Sequence, residues 1–239
     1  MSDEMSDDIA IRLTDVWVQY KLRHAHHYNL KRTVTNTLTR RREDTEIITA
    51  LQGITMDIPK GARIGLTGPN GSGKSTLLAV MAQALRPSQG SVEVNGRVLA
   101  LLGGPDEGLD PEQTGRENAI NLGVRLGESP DVMRERMDGI QEFSGLGSRF
   151  DHPVYTYSSG MQVRLRFTAL TSIRAEVLLV DEGIGAADAE FNERAVDRLR
   201  GFYATSGTLV IASHADSTLA MHCNALLKLT RGHTSQHLP

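Results

Sequence analysis

The sequence predicts an α/β domain in which a largely parallel sheet is covered by helices on both faces. Short apolar runs of strand length alternate with helical patterns along most of the chain. The run 177–180 is continuously apolar, which is typical of a strand that is buried on both faces. A glycine-rich loop lies between a predicted strand and a predicted helix, as in parallel α/β sheets.

Size and composition limit the classes of function. The 239 residues suffice for one well-filled domain, so 1–239 is predicted to form a single unit. Apolar residues make up 39% and charged residues 23%, as in a folded globular chain. The net charge of −3 gives no general attraction to nucleic acid, so no nucleic-acid partner is expected. The single cysteine, Cys223, excludes an internal disulfide and is interpreted as a small buried apolar residue.

The sequence contains no candidate membrane anchor. No apolar run approaches the length that crosses a bilayer. The acidic start, 1–8, lacks the apolar core of a secretory signal. Any membrane role is therefore expected to come through a partner protein.

The amino-terminal region predicts strands on either side of a polar insertion. Residues 9–20 have the alternation of an opening strand or hairpin arm. Residues 21–48 are polar and basic, and are predicted to form a surface insertion; a contact with lipid head groups or a membrane partner is the alternative. Strands are predicted at 54–58 and 63–67.

Helices and strands alternate through the rest of the chain. Residues 74–85 predict a helix, and strands at 91–94 and 97–102 flank Asn95-Gly96, a dipeptide typical of hairpins. Residues 114–146 have helical character with a break at 127–130. The later predicted elements are helices at 159–169, 189–202 and 217–222, and strands at 177–181, 208–212 and 225–229.

The strongest motif is a phosphate loop at 68–76. It matches G-x-x-x-x-G-K-[ST] in the strand–loop–helix context that supports such a match. Glycines let the backbone turn its N–H groups inward, and the following helix adds its positive end. Lys74 would place a charge on the β- and γ-phosphates of a nucleotide, and the Ser75 hydroxyl would bind Mg²⁺. An ordinary glycine-rich turn is the alternative.

A second motif narrows the class of phosphate-loop protein. The strand 177–181 ends in Asp181, and Glu182 follows it. Asp181 is predicted to hold Mg²⁺ beside Ser75, and Glu182 to polarise an attacking water. Strands often end in acidic residues for structural reasons, but the preceding phosphate loop favours the functional interpretation.

A third motif carries a family resemblance. Tyr157-Ser158-Ser159-Gly160-Met161, at the start of a predicted helix, resembles the signature sequence of ABC transporter ATPases. Taken alone it would be interpreted as a helix cap, with Ser158 at the N-cap position. His214 follows a strand where this family carries its switch histidine. The motifs occur in the family's order.

Further stretches resemble the branch that exports bacterial polysaccharides, which includes O-antigen, capsule and teichoic acid exporters. The segment 111–118 resembles that branch's Pro-Glu-Leu-Thr-Gly-Arg-Glu-Asn, and 94–102 resembles its strand before the Q-loop. The segment 185–191 resembles its D-loop, although one residue longer before Asp188. No glutamine directly follows Leu102, so the Q-loop role is left unassigned.

The resemblance implies an ABC ATPase domain with a RecA-like core, an antiparallel β subdomain and a helical subdomain at about 112–158. It implies ATP and Mg²⁺ as cofactors, Glu182 and His214 as catalytic residues, and Ser75 and Asp181 as metal ligands. Tyr20 occupies the position of an aromatic residue that stacks on adenine, with plain core packing as the alternative. The implied nucleotide-binding residues are Tyr20, Gly68, Pro69, Asn70, Gly71, Ser72, Gly73, Lys74, Ser75, Thr76, Ser158, Ser159, Gly160 and Asp188.

The resemblance also implies partners and a location. It predicts a head-to-tail homodimer with ATP between the two copies, docked on two membrane permease subunits at the cytoplasmic face of the bacterial inner membrane. ATP hydrolysis would then power export of a polysaccharide or lipid-linked glycan. The alternatives are an ABC ATPase that serves another cargo and a soluble ABC ATPase without a transport role. Co-purification with a polytopic membrane protein separates the transport interpretations from the last one.

Overall fold

The structure is a computed structural model that describes residues 6–23, 45–103, 108–181, 188–205 and 207–237. It contains two sheets. A three-stranded antiparallel sheet has the order β2-β1-β4, and a six-stranded sheet has the order β5-β6-β7-β3-β8-β9. All pairs in the larger sheet are parallel except β8 with β9. The strands are β1 (Ile9–Arg23), β2 (Thr45–Pro59), β3 (Arg63–Thr67), β4 (Gln89–Val94), β5 (Val98–Leu101), β6 (Val177–Asp181), β7 (Thr208–Ala212), β8 (Ala225–Thr230) and β9 (His233–His237).

Helices cover both faces of the larger sheet. Alternate residues of β6 belong to different apolar cores: Leu178 and Val180 face one, and Val177 and Leu179 face the other. The predicted strand buried on both faces is thereby confirmed. The helices are α1 (Lys74–Met81), α2 (Gly115–Arg125), α3 (Pro130–Glu135), α4 (Met137–Ser144), α5 (Ser159–Thr171), α6 (Ala189–Ala204) and α7 (Asp216–His222), with 3-10 turns at Gly147–Asp151 and Val154–Thr156.

The predicted hairpin at Asn95-Gly96 is wrong. β4 pairs with β1 in the antiparallel sheet, whereas β5 pairs with β6 in the parallel one, so the dipeptide carries the chain between sheets. Gly96 has a φ of 105°, and a Cβ there would lie 2.7 Å from the side chain of Glu176. The dipeptide correctly indicated a turn that requires a positive φ. The two strands beside it, however, pair with other strands and not with each other.

Two other boundaries differ from the predictions. The helix that begins at Lys74 ends at Met81 rather than near 85, because Gln83 has a φ of 56° that a helix does not accommodate. β9 is polar (His-Thr-Ser-Gln-His) and therefore shows no apolar alternation that predicts a strand. It folds back on β8 through Arg231 and Gly232, with φ values of 49° and 81°.

The segment 21–48 is partly sheet. Lys21 to Arg23 extend β1 and pair with residues 45–47 of β2. Residues 24–44, which include the histidines at 24, 26 and 27, lie outside the described residues. α2, α3 and α4 lie within 112–158, the predicted helical subdomain. Among the helices of the described ranges, none combines the length and apolarity needed to cross a bilayer.

Candidate functional site

Three neighbouring strands bring the phosphate loop, Asp181 and His214 to one edge of the parallel sheet. β7 lies between β6 and β3, with Asp181 beside Ala212 and Ala212 beside Leu66. Because these strands are parallel, the residues that follow their carboxyl ends share one edge. The phosphate loop follows β3, Asp181 ends β6, and the exposed His214 follows β7. These three motifs therefore lie at one edge of the sheet, and Glu182 lies outside the described residues.

The phosphate loop requires glycine at two positions for steric reasons. Gly68 has a φ of 138°, and a Cβ there would lie 2.3 Å from the backbone oxygen of Leu229. Gly73 has a φ of 107°, and its Cβ would lie 2.7 Å from the backbone oxygen of Ala50. Both contacts are with backbone, so a side chain cannot be accommodated by a rotamer change. The backbones of β8 and β2 thus both pack closely against the loop.

Lys74 directs its charge into the loop. Only 7% of the residue is exposed. Its Nζ donates to the backbone oxygen of Gly68 at 2.9 Å and to that of Pro69 at 3.2 Å. An ammonium has three protons, so one donor remains for a phosphate oxygen while the loop keeps the side chain in place.

The start of α1 offers free hydrogen-bond donors. Gly73 is the N-cap residue, and no side-chain cap hydrogen bond is made there. The first-turn N–H groups of the helix are therefore directed toward the interior of the loop. The Ser72 hydroxyl is buried and has no hydrogen-bond partner within the described ranges. Uncapped helix N–H groups, a buried hydroxyl and Lys74 form a donor set that fits the oxygens of a di- or triphosphate.

The sequence did not predict a set of hydrogen bonds that supports the phosphate loop. The Gly232 N–H donates to the backbone oxygen of Ser72 at 3.0 Å, and the Gly232 oxygen accepts from the Gln52 N–H at 2.9 Å. The Gln52 side chain donates to the backbone oxygen of Arg231 at 2.7 Å. The β8–β9 turn and β2 therefore hold the loop together. An Arg-Gly pair after a predicted strand was the available signal for this turn.

The donor set for a metal consists of one hydroxyl and one carboxylate. Ser75 is exposed at the start of α1, and Asp181 is partly buried at the end of β6. Across the described ranges, no group of three or more His, Cys, Asp or Glu residues could by itself hold an ion. Mg²⁺ bound to a nucleotide takes most of its ligands from phosphates and water, so one carboxylate and one hydroxyl are a suitable set. The residues present therefore fit a nucleotide with Mg²⁺.

The signature turn (Ser158, Ser159, Gly160) is separate from the phosphate loop of the same chain. Ser158 is the N-cap of α5, and its hydroxyl accepts from the Met161 N–H at 3.3 Å. Ser158 and Ser159 are exposed. Within the part of the chain that the structure describes, no hydrogen bond or ion pair joins this turn to residues 68–76. The turn is thus a helix cap whose exposed face is available to a ligand or to another molecule.

The stretch resembling the exporter motif at 111–118 supports the signature turn. Tyr157 is buried, and its hydroxyl donates to the backbone oxygen of Arg149 at 2.7 Å. Burial raises the pKa of Tyr157 to about 12, so the hydroxyl stays protonated and keeps this bond. A Cβ at Gly115 would lie 2.3 Å from that hydroxyl oxygen, so the motif glycine permits the close approach. Thr114 and Glu117 form the capping box of the same helix.

Asp188 has a structural role in the described chain. Its carboxylate caps α6 by accepting from the Phe191 N–H at 2.9 Å, and it also accepts from Arg164 at 3.2 Å. The Phe191 bond and the charge of Arg164 hold the pKa of Asp188 below its usual value. Arg164 lies in α5, so this pair links the signature helix to the helix after the D-loop. The sequence analysis named Asp188 but not its contact with Arg164.

Tyr20 lies on the strand pair that flanks the phosphate loop. It is 42% exposed and is opposite Ile48 in the β1–β2 ladder. Two residues further along β2, the Ala50 oxygen approaches the Cβ position of Gly73. An exposed ring does not fit plain core packing. The position suits a ring that stacks on a base whose phosphates lie in the loop.

If Tyr20 stacks on adenine, replacing it with alanine is expected to raise the KM for ATP by about tenfold, because base–aromatic stacking contributes roughly 1–3 kcal/mol. Tyr20→Phe keeps the ring and is the matched control, so its KM should stay close to that of the unmodified protein. Steady-state ATPase kinetics measure both variants. Equal KM values for the alanine and phenylalanine variants would reject stacking.

Comparisons with known proteins identify the family of this chain. The ABC transporter family matches residues 51–185. The O-antigen export system ATP-binding protein RfbE of Yersinia enterocolitica is 37% identical over 225 residues, which cover 91% of this chain and 93% of that protein. The corresponding protein RfbB of Myxococcus xanthus is 40% identical over 185 residues, or 77% of this chain. This chain spans only 42% of that relative's length.

Among solved structures, a dimeric ATP-binding cassette in a post-hydrolysis state, bound to ADP and Pi, superposes with a TM-score of 0.74. The match covers 95% of this chain and 98% of that chain at 21% identity, so it shows the fold. The predicted fold class is confirmed. By sequence, by fold and by the order of its motifs along the chain, this protein is a member of the ABC transporter family.

Proposed function

We propose that this chain is the ATP-hydrolysing subunit of an exporter that moves a polysaccharide or lipid-linked glycan across the cytoplasmic membrane. The observation that carries the ATPase assignment is the phosphate loop, where Lys74 is held by two loop carbonyls beside uncapped N–H groups. The cargo class is supported by the relatives, whose names include O-antigen export and teichoic acids export. The protein would act at the cytoplasmic face of the membrane, bound to two permease subunits.

Each residue at the sheet edge has a role in hydrolysis. Lys74 and the first N–H groups of α1 bind the β- and γ-phosphates and hold them in line for attack. Ser75 and Asp181 would hold Mg²⁺, which offsets the charge of the phosphates when it is bound. Glu182 would orient and deprotonate the attacking water, and His214 would contact the γ-phosphate from the end of β7.

The separation of the two phosphate-binding elements supports a head-to-tail homodimer. The signature turn is exposed and makes no bond to the phosphate loop of its own chain within the described residues. In a second copy, Ser158 and the N–H of Gly160 would approach the γ-phosphate from the side opposite Lys74. Each site is then complete only when two copies meet, and loss of the γ-phosphate opens the interface.

Ser158→Ala tests the contribution of the signature turn. We expect kcat for ATP to fall by about 100-fold, because one donor to the reacting phosphate is lost. The helix cap is lost as well, at a cost of about 1 kcal/mol of stability.

The chain offers a matched control for the cap. Ser129 caps α3 in the same way, accepting from the Val132 N–H at 3.2 Å. Ser129→Ala should lose a similar amount of stability while retaining its kcat. An ATPase assay and urea denaturation of both variants separate the two effects. If the variants lose activity equally, the turn acts only as a cap.

The transport role has its own experiment. The chain is expressed with a candidate polytopic membrane protein from the same genome, the complex is purified through the membrane protein, and surface glycan is measured in cells that lack the native chain. We expect stable co-purification and restoration of surface glycan by the unmodified chain, but not by Lys74→Ala. Failure to co-purify, with ATPase activity intact, would favour a soluble ABC ATPase. Co-purification without restored glycan would favour another cargo.

A further inference from the structure

A cavity of about 570 Å³ lies at the amino ends of β5 and β6. It is bounded by the end of α5, the last turns of α6 and the first residues of β5 and β6. Leu99 and Leu178 are the second residues of their strands, whereas the nucleotide site follows the carboxyl ends. Three residues of strand separate Leu178 from Asp181, a distance of about 10 Å. The cavity is therefore distinct from the nucleotide site.

The walls of the cavity are largely apolar. Its accessible apolar surface comes from Ala175 and Phe202, which are partly exposed, whereas Leu99, Leu178 and Leu199 line it with 2% of their surface exposed or less. Its volume falls within the range of small-molecule sites, which combine apolar walls with a few placed polar groups.

Arg198 is the polar side chain that could fix a ligand in the cavity. It lines the cavity and is partly buried, with its guanidinium carbon 3.8 Å from the centre of the Phe143 ring. Its Nη1 donates to the hydroxyl of Thr171 at 3.3 Å, and that hydroxyl itself donates to the Phe167 oxygen. Within the described ranges, no carboxylate lies within ion-pair distance of Arg198. Burial without such a partner lowers the pKa of Arg198.

The ionisable side chains that line the cavity carry a net positive charge. Glu176 is the one carboxylate among the lining residues, and one of its oxygens accepts from the backbone N–H of Arg97 at 2.6 Å. Arg174, which is exposed, adds a second positive charge at the rim. By contrast, Arg200 on the same helix is exposed and pairs with Asp197. A guanidinium has five donors, and a partly buried one is stabilised by an anion that accepts from several of them.

We propose that this cavity binds an amphiphilic anion, with a carboxylate or phosphate head on the guanidinium of Arg198 and an apolar chain against Ala175 and Phe202. The charge recognises the head, and the apolar walls recognise the chain. The site is independent of the nucleotide and of the export function.

Isothermal titration calorimetry on the full chain tests the proposal with two probes, octanoate and octyl phosphate. Either head group suits Arg198, and the tighter probe identifies the natural one. Octanol lacks the charge and acetate lacks the chain, so both should bind at least about tenfold more weakly. Arg198→Gln is expected to weaken the tighter probe by at least about tenfold, which corresponds to about 1.4 kcal/mol. Arg200→Gln, the exposed arginine on the same helix, should bind like the unmodified chain.

A second variant keeps the test decisive if Arg198→Gln does not fold. Ala175 lines the cavity, so Ala175→Leu fills part of it without removing a charge and should also weaken binding by at least tenfold. The proposal is overturned if neither probe binds saturably. It is also overturned if the folded variants bind the tighter probe as strongly as the unmodified chain does.

Discussion

Replacing Lys74 with alanine is expected to lower kcat for ATP by about 10³, the upper end of the effect of removing one donor from a reacting oxyanion. The lysine is buried, and its Nζ is held by the carbonyls of Gly68 and Pro69, so its position is fixed before a nucleotide arrives. That preorganisation removes the cost of ordering a flexible cation during the reaction. A coupled ATPase assay at saturating ATP and Mg²⁺ measures the loss.

Lys60→Ala is the control for Lys74→Ala, since Lys60 is an exposed lysine in the turn after β2. It should retain full activity. Circular dichroism is needed for the Lys74 variant, because the removed side chain also joins two loop carbonyls. A folded Lys74→Ala protein that keeps more than a tenth of the original kcat would contradict the role given to this residue.

Gly68→Ala is expected to disrupt the loop itself. The new Cβ would lie 2.3 Å from the backbone oxygen of Leu229 and 2.9 Å from the Ser72 hydroxyl, at a φ of 138°. Because the nearest atom is backbone, the loop must move away from β8, and the Lys74 contacts move with it. We expect a loss of about 2–4 kcal/mol of unfolding free energy, together with loss of measurable ATP binding.

A glycine outside the phosphate loop is the control for Gly68→Ala. Gly127 also has a positive φ, 87°, but a Cβ there meets no atom within 4 Å. Gly127→Ala should therefore cost only the strain of the left-handed conformation, about 1–2 kcal/mol, and should still bind ATP. Urea denaturation and fluorescent nucleotide binding compare the pair. Equal losses in the two variants would show that the contact with Leu229 does not decide the effect.

The site was predictable where its chemistry depends on residues close together in sequence. The phosphate loop lies between one strand and the helix that follows it, so its spacing alone specified the glycines, Lys74 and Ser75. Asp181 was also predictable, because a continuous apolar run ended there. The alternation of strands and helices likewise indicated the parallel sheet and its two covered faces.

The features of the fold and the site that could not be predicted depend on contacts between segments that are distant in sequence. Asn95-Gly96 correctly predicted a turn, but it wrongly predicted that the two strands beside it pair with each other. Those strands belong to different sheets. Gln52 and Gly232 support the phosphate loop through backbone bonds, which are independent of side-chain pattern. The pair of Arg164 with Asp188 joins α5 to the start of α6 through two residues that are 24 positions apart in sequence. Local propensity carries no information on such contacts.

Disulfide crosslinking across the proposed dimer tests the central claim most directly. Asn70 in the phosphate loop and Ser159 in the signature turn are both exposed, and each would be replaced by cysteine in a Glu182→Gln chain that retains bound ATP. Cys223 can stay, because burial raises the pKa of its thiol to about 11 and keeps it largely unreactive near neutral pH. Chains with a single introduced cysteine are the controls.

We predict a covalent dimer that forms rapidly with ATP and Mg²⁺, forms slowly without nucleotide, and is absent from both single-cysteine controls. That result would place the phosphate loop of one copy against the signature turn of another. If maleimide labels both introduced cysteines but ATP gives no increase in crosslinked dimer, the two copies do not enclose the nucleotide between them.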